Sequence, residues 1–355
     1  MMKPTKWINL LAAAAILLTG CSRSEPTQKI VMKELTGPPG HRIYVTNEAS
    51  GDLSVIDSGT QEVVATVPLG KRPRGIRASL DRKSIFVALS GSPFAPPGTD
   101  ESKLPPPDRS ADGIGVFDVA SSKLLRVLKG GDDPESFDLS KDGKLMYISN
   151  EDTAKASVLD IAAAKVIQAI PVGEEPEGVT TSPDGKFVYV TSENDGAIFV
   201  IDTATNKSVK HFKVGLRPRS VAFLPDGSRA YVTCEVGNSV VVVDSVKHAV
   251  LRTIAAGGEE MRPMGIVLSN DGARAYVTTG RGKKVLVIDT ATDKIVSSFE
   301  VGPRPWGIAL SPDGKMLYTA NGPSNDVSVV EVATEKVTKK IKVGDRPWGV
   351  ITLAQ

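Results

Sequence analysis

The stretch "RPWGIALSPDGKMLYTAN" at residues 304–321 decides the fold, because variants of it recur along almost the whole chain. A proline standing two positions before a glycine or serine recurs at Pro73, Pro134, Pro176, Pro218, Pro263, Pro305 and Pro347. An aromatic residue recurs in step with it at Tyr44, Phe86, Tyr147, Tyr189, Tyr231, Tyr276 and Tyr318. A period of about 40–50 residues predicts seven units, each holding several short strands, as in a β-propeller.

One unit shows how many strands to expect. In "RPRSVAFLPDGSRAYVTCEVGNSVVVVDSVKHAVLRTI" (217–254), four β-type runs follow one another: SVAFL, AYVTC, SVVVVD and AVLRTI. We name these strands A to D. The PDG between A and B suits a tight turn, because proline fixes φ and glycine accepts positive φ. The sequence therefore predicts an all-β, seven-bladed propeller of four-stranded blades.

The two ends of the repeat region predict how the ring closes. Tyr44 has no proline 13 residues before it, since that position is Val31, and Pro347 begins a unit that stops at residue 355. The N-terminal part therefore supplies strands B, C and D of one blade, and the C-terminal part supplies its strand A. Such a blade ties the ends together and leaves no open sheet edge.

The first residues are of another kind. Lys3 and Lys6 precede an apolar run at 7–18, which is too short to span a bilayer and fits the apolar region of a signal peptide at 1–20. The run ends in "LTGC", which resembles a bacterial lipobox that would leave Cys21 lipidated. We expect an exported protein, anchored to the membrane by lipid at Cys21 and located at the outer membrane facing the periplasm.

The remaining sequence divides into a tether and a folded body. Residues 21–40 form the lipidated N-terminus and a tether with three prolines, and residues 41–355 form the propeller. Only 5% of the residues are aromatic, so Val, Ile, Leu and Ala must fill the core, which favours sheets.

Charge and residue counts exclude several kinds of site. Without Lys3 and Lys6, the 43 Lys plus Arg fall to 41 and balance 41 Asp plus Glu, so net charge indicates neither nucleic acid nor an anionic surface. Three histidines, far apart in sequence, cannot build a multi-histidine metal centre. The sequence therefore predicts no metal and no cofactor, and it assigns no catalytic residue.

The repeated phrases resemble a known family. "IYVTN" (43–47), "VYVTS" (188–192) and "LYTAN" (317–321), together with "SPDG" and "VID" motifs, are similar to the YVTN-family β-propellers. The resemblance covers residues 41–355 and implies an exported seven-bladed propeller. Some members are similar to accessory proteins of quinoprotein alcohol-oxidation and transporter systems, so the resemblance implies a role beside a periplasmic oxidation or transport system.

Departures from the repeat locate a candidate site. A proline-rich insertion at 91–112 extends a B–C loop, and residues 255–261 extend a D–A loop on the same face. That face carries the tripeptides around the strand A prolines, which are basic in five units and acidic (Asp133, Glu135, Glu175, Glu177) in two. The residues predicted to bind a protein partner or an anionic small ligand are Arg72, Arg74, Arg217, Arg219, Arg262, Arg304, Trp306, Arg346 and Trp348.

Several functions remain open at this point. The main expectation is a non-catalytic binding or scaffold propeller that holds a periplasmic partner or anionic ligand. Alternatives are a lactonase-type hydrolase using the carboxylates opposite the arginines, and a single-stranded nucleic-acid binder, which the neutral charge disfavours. The arginines could instead form salt bridges between blades with the carboxylates that follow strand B, namely Glu48, Glu151, Glu193 and Glu235.

Overall fold

The computed structural model describes residues 40–95, 99–100, 103–258 and 260–354, and these form 28 strands in seven four-stranded antiparallel sheets. The predicted all-β propeller is confirmed, with each sheet forming one blade. The predicted leader, Cys21 and most of the tether lie outside the described residues. Within the described ranges, no helix is long and apolar enough to cross a membrane.

The strands of each blade run from A, at the channel, to D, at the rim, and are numbered in chain order. Blades 1 and 2 contain β4 (Pro73–Ala78), β5 (Ser84–Leu89), β6 (Gly113–Asp118), β7 (Lys123–Leu128), β8 (Pro134–Leu139), β9 (Leu145–Asn150), β10 (Lys155–Asp160) and β11 (Lys165–Pro171). Blades 3 and 4 contain β12 (Pro176–Thr181), β13 (Phe187–Ser192), β14 (Ala197–Asp202), β15 (Lys207–Lys213), β16 (Pro218–Phe223), β17 (Arg229–Cys234), β18 (Ser239–Asp244) and β19 (Ala249–Ala255).

The remaining three blades complete the ring. Blades 5 and 6 contain β20 (Pro263–Leu268), β21 (Arg274–Thr279), β22 (Lys284–Asp289), β23 (Lys294–Glu300), β24 (Pro305–Leu310), β25 (Met316–Asn321), β26 (Asp326–Glu331) and β27 (Lys336–Lys342). Blade 7 contains β28 (Pro347–Ala354), β1 (His41–Asn47), β2 (Asp52–Asp57) and β3 (Glu62–Pro68). Short 3-10 turns occur at Arg109–Ala111, Glu151–Thr153 and Gly322–Ser324.

Blade 7 closes the ring in the way the repeat predicts. Strand β28 pairs antiparallel with β1, which places Ala354 opposite His41 and Ile351 opposite Tyr44. The sheet order is β28-β1-β2-β3, so the chain's C-terminal strand is the innermost strand of a blade that the N-terminal part completes. Strand β28 also contacts the inner strands β24 and β4 of the neighbouring blades.

The hydrophobic core lies between neighbouring blades. Tyr44 and Leu53 of blade 7 pack with Ile85 and Phe117 of blade 1, and the rings of Tyr44 and Phe117 meet edge to face. Strands B and C are buried on both faces, so they read as continuous apolar runs, whereas the rim strand β27 is mostly exposed and buries only Ile341.

Inner strands converge so closely that the third position of strand A holds only glycine or serine. A Cβ added at Gly178 would collide with the carbonyl oxygen of Arg219, and one at Gly307 with that of Trp348. This crowding explains the glycine or serine in every unit.

Candidate functional site

Seven residues at the same position of the repeat form a ring around the mouth. Each directly precedes the proline of a strand A and adopts left-handed backbone geometry with φ between 39° and 60°. They are Arg72, Asp133, Glu175, Arg217, Arg262, Arg304 and Arg346. This geometry is uncommon for residues other than glycine. Because all seven blades share it, the turn belongs to the fold and presents charged side chains at one end of the channel.

A cavity of ≈ 890 Å³ occupies this mouth. Eight of the nine predicted binding residues line it: Arg72, Arg74, Arg217, Arg219, Arg304, Trp306, Arg346 and Trp348. Arg262 does not line it, and its guanidinium lies 3.5 Å from Glu260 on the surface. The prediction that Arg262 belongs to the site is therefore not supported by its position.

The insertion forms part of the cavity wall. Pro93, Phe94 and the run 104–107 line the cavity beside the arginines of blades 7 and 1. Asp112 anchors the base of the loop by accepting hydrogen bonds from the backbone N–H groups of Gly91 and Asp133, at 2.5 and 3.0 Å. The insertion thus lies on the face that the sequence predicts for it.

Arg74 holds the first of two carboxylate clusters. Its guanidinium donates to Asp133 at 2.6 Å and to Glu151 at 3.2 Å, and it also contacts Glu135. Arg74 is buried, and all three carboxyl groups line the cavity. One buried cation thus faces three carboxyl groups. The excess of negative charge favours a proton on one of these carboxyl groups.

The pKa values of two carboxyl groups of this cluster are shifted in opposite directions. Burial, with the negative charge of Glu151 nearby, raises the pKa of Glu135 well above its usual value although Arg74 opposes this. Burial also acts on Asp133, but Arg74 and the hydrogen bond from the Ser90 hydroxyl keep the pKa of Asp133 below its usual value. Two carboxyl groups with pKa values shifted in opposite directions therefore share one wall of the cavity, which is the arrangement that acid–base chemistry uses.

Arg219 holds the second cluster. Its guanidinium contacts Glu177 and Glu193 and lies 2.7 Å from Glu235, while Arg217 also pairs with Glu193. Burial raises the pKa of Glu193 to about 8, against the influence of Arg217. Arg217 and Arg219 line the cavity, but the carboxyl groups of this cluster do not.

The salt-bridge alternative from the sequence therefore holds for four arginines. Arg72 donates to Glu48 at 2.9 Å, and Arg74, Arg217 and Arg219 pair with the other carboxylates that follow strand B. Glu177, considered above as a hydrolytic group, is buried against Arg219 and does not reach the cavity. These contacts join neighbouring blades and explain why the charges are present irrespective of any ligand.

Arg304 and Arg346 differ from the other arginines. Within the described ranges, neither guanidinium has a carboxylate oxygen within 4.0 Å. Arg304 lies 5.4 Å from the ring centroid of Trp306, and Arg346 lies 4.7 Å from that of Phe94. Burial lowers the pKa of Arg304, although Glu235 opposes this. A partly buried cation without a counter-ion is a natural anion site.

The two tryptophans form the floor of the cavity. Their ring centroids lie 5.3 Å apart with an angle of 33° between planes, and both rings remain partly exposed. Both also line a second cavity of ≈ 110 Å³, which is otherwise enclosed by the inner strands. The tryptophans therefore separate the mouth from the channel beneath it.

Other chemical groups do not form a second centre in the part of the chain that the structure describes. There, no group of three or more His, Cys, Asp or Glu residues is placed to hold a metal ion. Cys234 is buried, and burial raises the pKa of its thiol to about 12. This thiol is therefore not a nucleophile at neutral pH.

Sequence reasoning missed Phe94 and the separation of the arginines into paired and unpaired ones. A lone phenylalanine within the polar, proline-rich insertion was the available signal for Phe94. Nothing in the tripeptides distinguishes Arg304 from Arg217, because the distinction depends on which carboxylates the neighbouring blades supply.

Comparison with known proteins supports the architecture. Residues 173–346 match the model of the family "Lactonase, 7-bladed beta-propeller", and residues 109–229 match that of the "YNCE-like beta-propeller". The chain is a seven-bladed β-propeller protein. Each match covers less than half of the chain, and the resemblance to the YVTN family stays a prediction.

Solved propellers resemble the whole folded body. A putative 6-phosphogluconolactonase of Bacteroides fragilis is 21% identical, with a TM-score of 0.71 over 90% of this chain and 100% of that one. A periplasmic gluconolactonase of Pseudomonas aeruginosa is 18% identical, with a TM-score of 0.69 over 89% and 99%. Hydrazine synthase of Kuenenia stuttgartiensis is 20% identical, with a TM-score of 0.70 over 87% and 99%. At these identities the likeness shows the fold alone.

A curated relative matches a smaller region. Antigen Lp49 of Leptospira interrogans is 28% identical over 138 residues, and the chain spans 30% of the length of that protein.

One functional expectation is wrong. The main expectation of a non-catalytic scaffold is overturned by the match of residues 173–346 to a lactonase family, with solved lactonases among the propellers of the same fold. The hydrolase alternative fits these findings better. The expectation failed because an arginine-rich mouth looks the same in sequence whether or not a carboxyl group beside it holds a proton.

Proposed function

We propose that this propeller hydrolyses a lactone in the mouth cavity. The observation that carries the proposal is the pair of carboxyl groups on the cavity wall, Glu135 and Asp133, which are both held by Arg74 and whose pKa values are raised and lowered, respectively. The match of residues 173–346 to a lactonase family supports it, since that segment supplies Arg217, Arg304 and Trp306 to the same cavity.

The reaction needs one water molecule and two proton transfers. The oxygen of water forms a bond to the lactone carbonyl carbon, and an ionised carboxylate, for which Asp133 is the candidate, takes a proton from that water. Collapse of the tetrahedral intermediate breaks the bond between the carbonyl carbon and the ring oxygen. Glu135 then gives its proton to the departing oxygen, and the product is an open-chain hydroxy acid.

Replacing Glu135 by Gln tests the proposal. The amide keeps the size of the side chain but cannot deliver the proton, so kcat should fall by about 10²- to 10⁴-fold. The matched control is Glu177→Gln, because Glu177 has the same position in the next blade but does not line the cavity. Initial rates with glucono-δ-lactone and dihydrocoumarin, corrected for spontaneous hydrolysis, measure the effect. Equal rates for the two variants would refute the role of Glu135.

A nucleic-acid function receives no support from the geometry. Arg72, Arg74, Arg217 and Arg219 are neutralised by carboxylates of their own chain, which leaves few cations to follow a phosphate backbone.

We also propose that the enzyme works outside the cytoplasm, anchored through lipid on Cys21. The apolar run at 7–18 and the "LTGC" that ends at Cys21 support this. Labelled palmitate should enter the wild-type protein in a bacterial host and should be absent from the Cys21→Ala variant. Equal labelling of both proteins would contradict the anchor.

A further inference from the structure

The structure divides the arginines of the mouth into two groups. Arg72, Arg74, Arg217 and Arg219 each have at least one carboxylate partner from the same chain. Carboxyl groups of the same chain already occupy these guanidinium groups, so they offer less to a ligand than an unpaired arginine does. The positive charge that remains available at the mouth lies at Arg304 and Arg346, in the adjacent blades 6 and 7.

The unpaired arginines stand among aromatic rings. Trp306 lies between the guanidinium groups of Arg219, at 5.0 Å, and Arg304, at 5.4 Å from its ring centroid, and its ring packs on Trp348. Phe94 covers Arg346 from the insertion. We call Phe94, Arg304, Trp306, Arg346 and Trp348 the cationic corner. The corner offers partly exposed ring surface next to unneutralised charge.

The opposite wall of the same cavity is acidic. Asp133, Glu135, Glu151 and Glu175, from blades 2 and 3, line it. At ≈ 890 Å³ the cavity is at the upper end of the range for sites that hold drug-sized ligands, so it exceeds the needs of one sugar ring. A ligand that fills the cavity must therefore present different chemical groups to the basic end and to the acidic end of the cavity.

We propose that the cationic corner binds a carboxylate attached to a flat, unsaturated ring, and that the substrate is a lactone carrying such a group. The carboxylate accepts hydrogen bonds from the Arg304 and Arg346 guanidinium groups, and the ring stacks on the tryptophans. A neutral sugar lactone offers neither contact. The part of this inference that concerns the substrate rests on the proposed lactonase function, whereas the binding site itself does not.

The tryptophans provide a direct signal for binding. The chain has three tryptophans, and the third is Trp7 in the predicted leader. In the full chain with Trp7→Phe, fluorescence therefore reports on Trp306 and Trp348 alone. Benzoate is the probe, with benzyl alcohol as the neutral flat control and acetate and inorganic phosphate as anions without a ring.

We expect benzoate to change the fluorescence and to bind at least tenfold more tightly than any of the three controls. Arg304→Gln should weaken benzoate binding by about tenfold or more, because a hydrogen bond to a charged group is lost. Arg262→Gln is the matched control: it has the same repeat position in blade 5 but lies outside the cavity, so benzoate binding should not change. Thermal unfolding of each variant verifies that it is folded.

The outcomes separate the two proposals. Benzoate that binds no better than benzyl alcohol, or equally well to Arg304→Gln and Arg262→Gln, overturns the cationic corner. Tight phosphate binding without benzoate binding also overturns it, since the site would then recognise an anion without a ring. If benzoate binds as expected but no lactone is hydrolysed, the lactonase function fails and the corner stands. If neutral lactones are hydrolysed and benzoate neither binds nor inhibits, the corner fails and the lactonase function stands.

Discussion

At the scale of single residues, the arginines beside the strand A prolines have three different surroundings. Arg219 is buried among three carboxylates, Arg304 lies against a tryptophan without a counter-ion, and Arg262 is partly buried beside Glu260, outside the cavity. The partners of each arginine decide how much that arginine contributes to the stability of the fold. A buried cation is strongly stabilising only because its removal leaves carboxylates without a partner, whereas an exposed ion pair contributes little.

Replacing Arg219 by Gln should therefore destabilise the propeller more than replacing Arg217. Arg219 is buried, and its loss leaves Glu177 and Glu235 without their shared cation, at a cost of about 3–5 kcal/mol. The Arg217 side chain is 45% exposed, so Arg217→Gln should cost about 1 kcal/mol or less. Urea unfolding of both variants measures the difference. Equal losses would mean that the Arg219 cluster does not hold blades 3 and 4 together.

Glu193 gives the stability a pH dependence. Burial raises its folded-state pKa from 4.5 to about 8, so between these values the folded chain binds more protons than the unfolded chain. The contribution of Glu193 to stability is thus complete below the unfolded pKa and is lost as the pH rises through about 8, with an upper limit of about 5 kcal/mol.

Urea unfolding across this pH window tests the assignment. Stability of the wild-type protein should fall as the pH rises from about 5 to about 8, and Glu193→Gln should show a flatter profile. Glu177→Gln, in the same cluster, leaves Glu193 in place and should keep the slope. A profile that is unchanged by Glu193→Gln would show that Glu193 is ionised throughout.

At the scale of elements, the strands and the face that carries the insertion were predictable, whereas the contacts that the insertion makes were not. Strands β16 to β19 follow the four runs read from residues 217–254, because each blade repeats the same alternation and turn chemistry. The position of β28 was predictable because the repeat demands a partner for β1. The contact between Phe94 and Arg346 belongs to a segment without counterpart in other units, so no internal comparison could reveal it.

Removing residues 347–355 should open the ring. β1 would lose its ladder with β28, and β24 and β4 would lose the inner strand between them. We expect loss of a single cooperative thermal transition and aggregation through the exposed edge of β1. Scanning calorimetry and light scattering measure both effects. A truncated chain that unfolds cooperatively, near the wild-type temperature, would contradict the closing role of β28.

A circular permutant tests whether stability depends on closure of the ring or on the order of the strands along the chain. Ala354 lies opposite His41 in the ladder, so a short turn can join them, and new ends can be placed in the exposed turn at 333–334. This permutant keeps every strand pair and should unfold within a few degrees of the wild-type protein. A large loss of stability would mean that the free ends matter for more than the ladder.

At the scale of the whole molecule, the repeat predicts seven equivalent blades. The candidate site is formed by the residues in which the blades differ. The sequence indicated the mouth, its two acidic blades and eight residues that line the cavity. It could not indicate that the pKa of Glu135 is raised while that of Asp133 is lowered, because these shifts depend on burial and on the shared Arg74. Nor could it indicate that carboxylates of neighbouring blades neutralise some arginines and leave Arg304 free.

The most direct test of the central claim is proton release by the full chain from a lactone at constant pH, with and without benzoate. We predict saturable release of one proton for each lactone opened, competitive inhibition by benzoate, and loss of release in Glu135→Gln but not in Glu177→Gln. Proton release at the spontaneous rate for glucono-δ-lactone, dihydrocoumarin and a carboxylated dihydrocoumarin, or the same release in Glu135→Gln as in the wild-type protein, would contradict a lactonase centred on the mouth cavity.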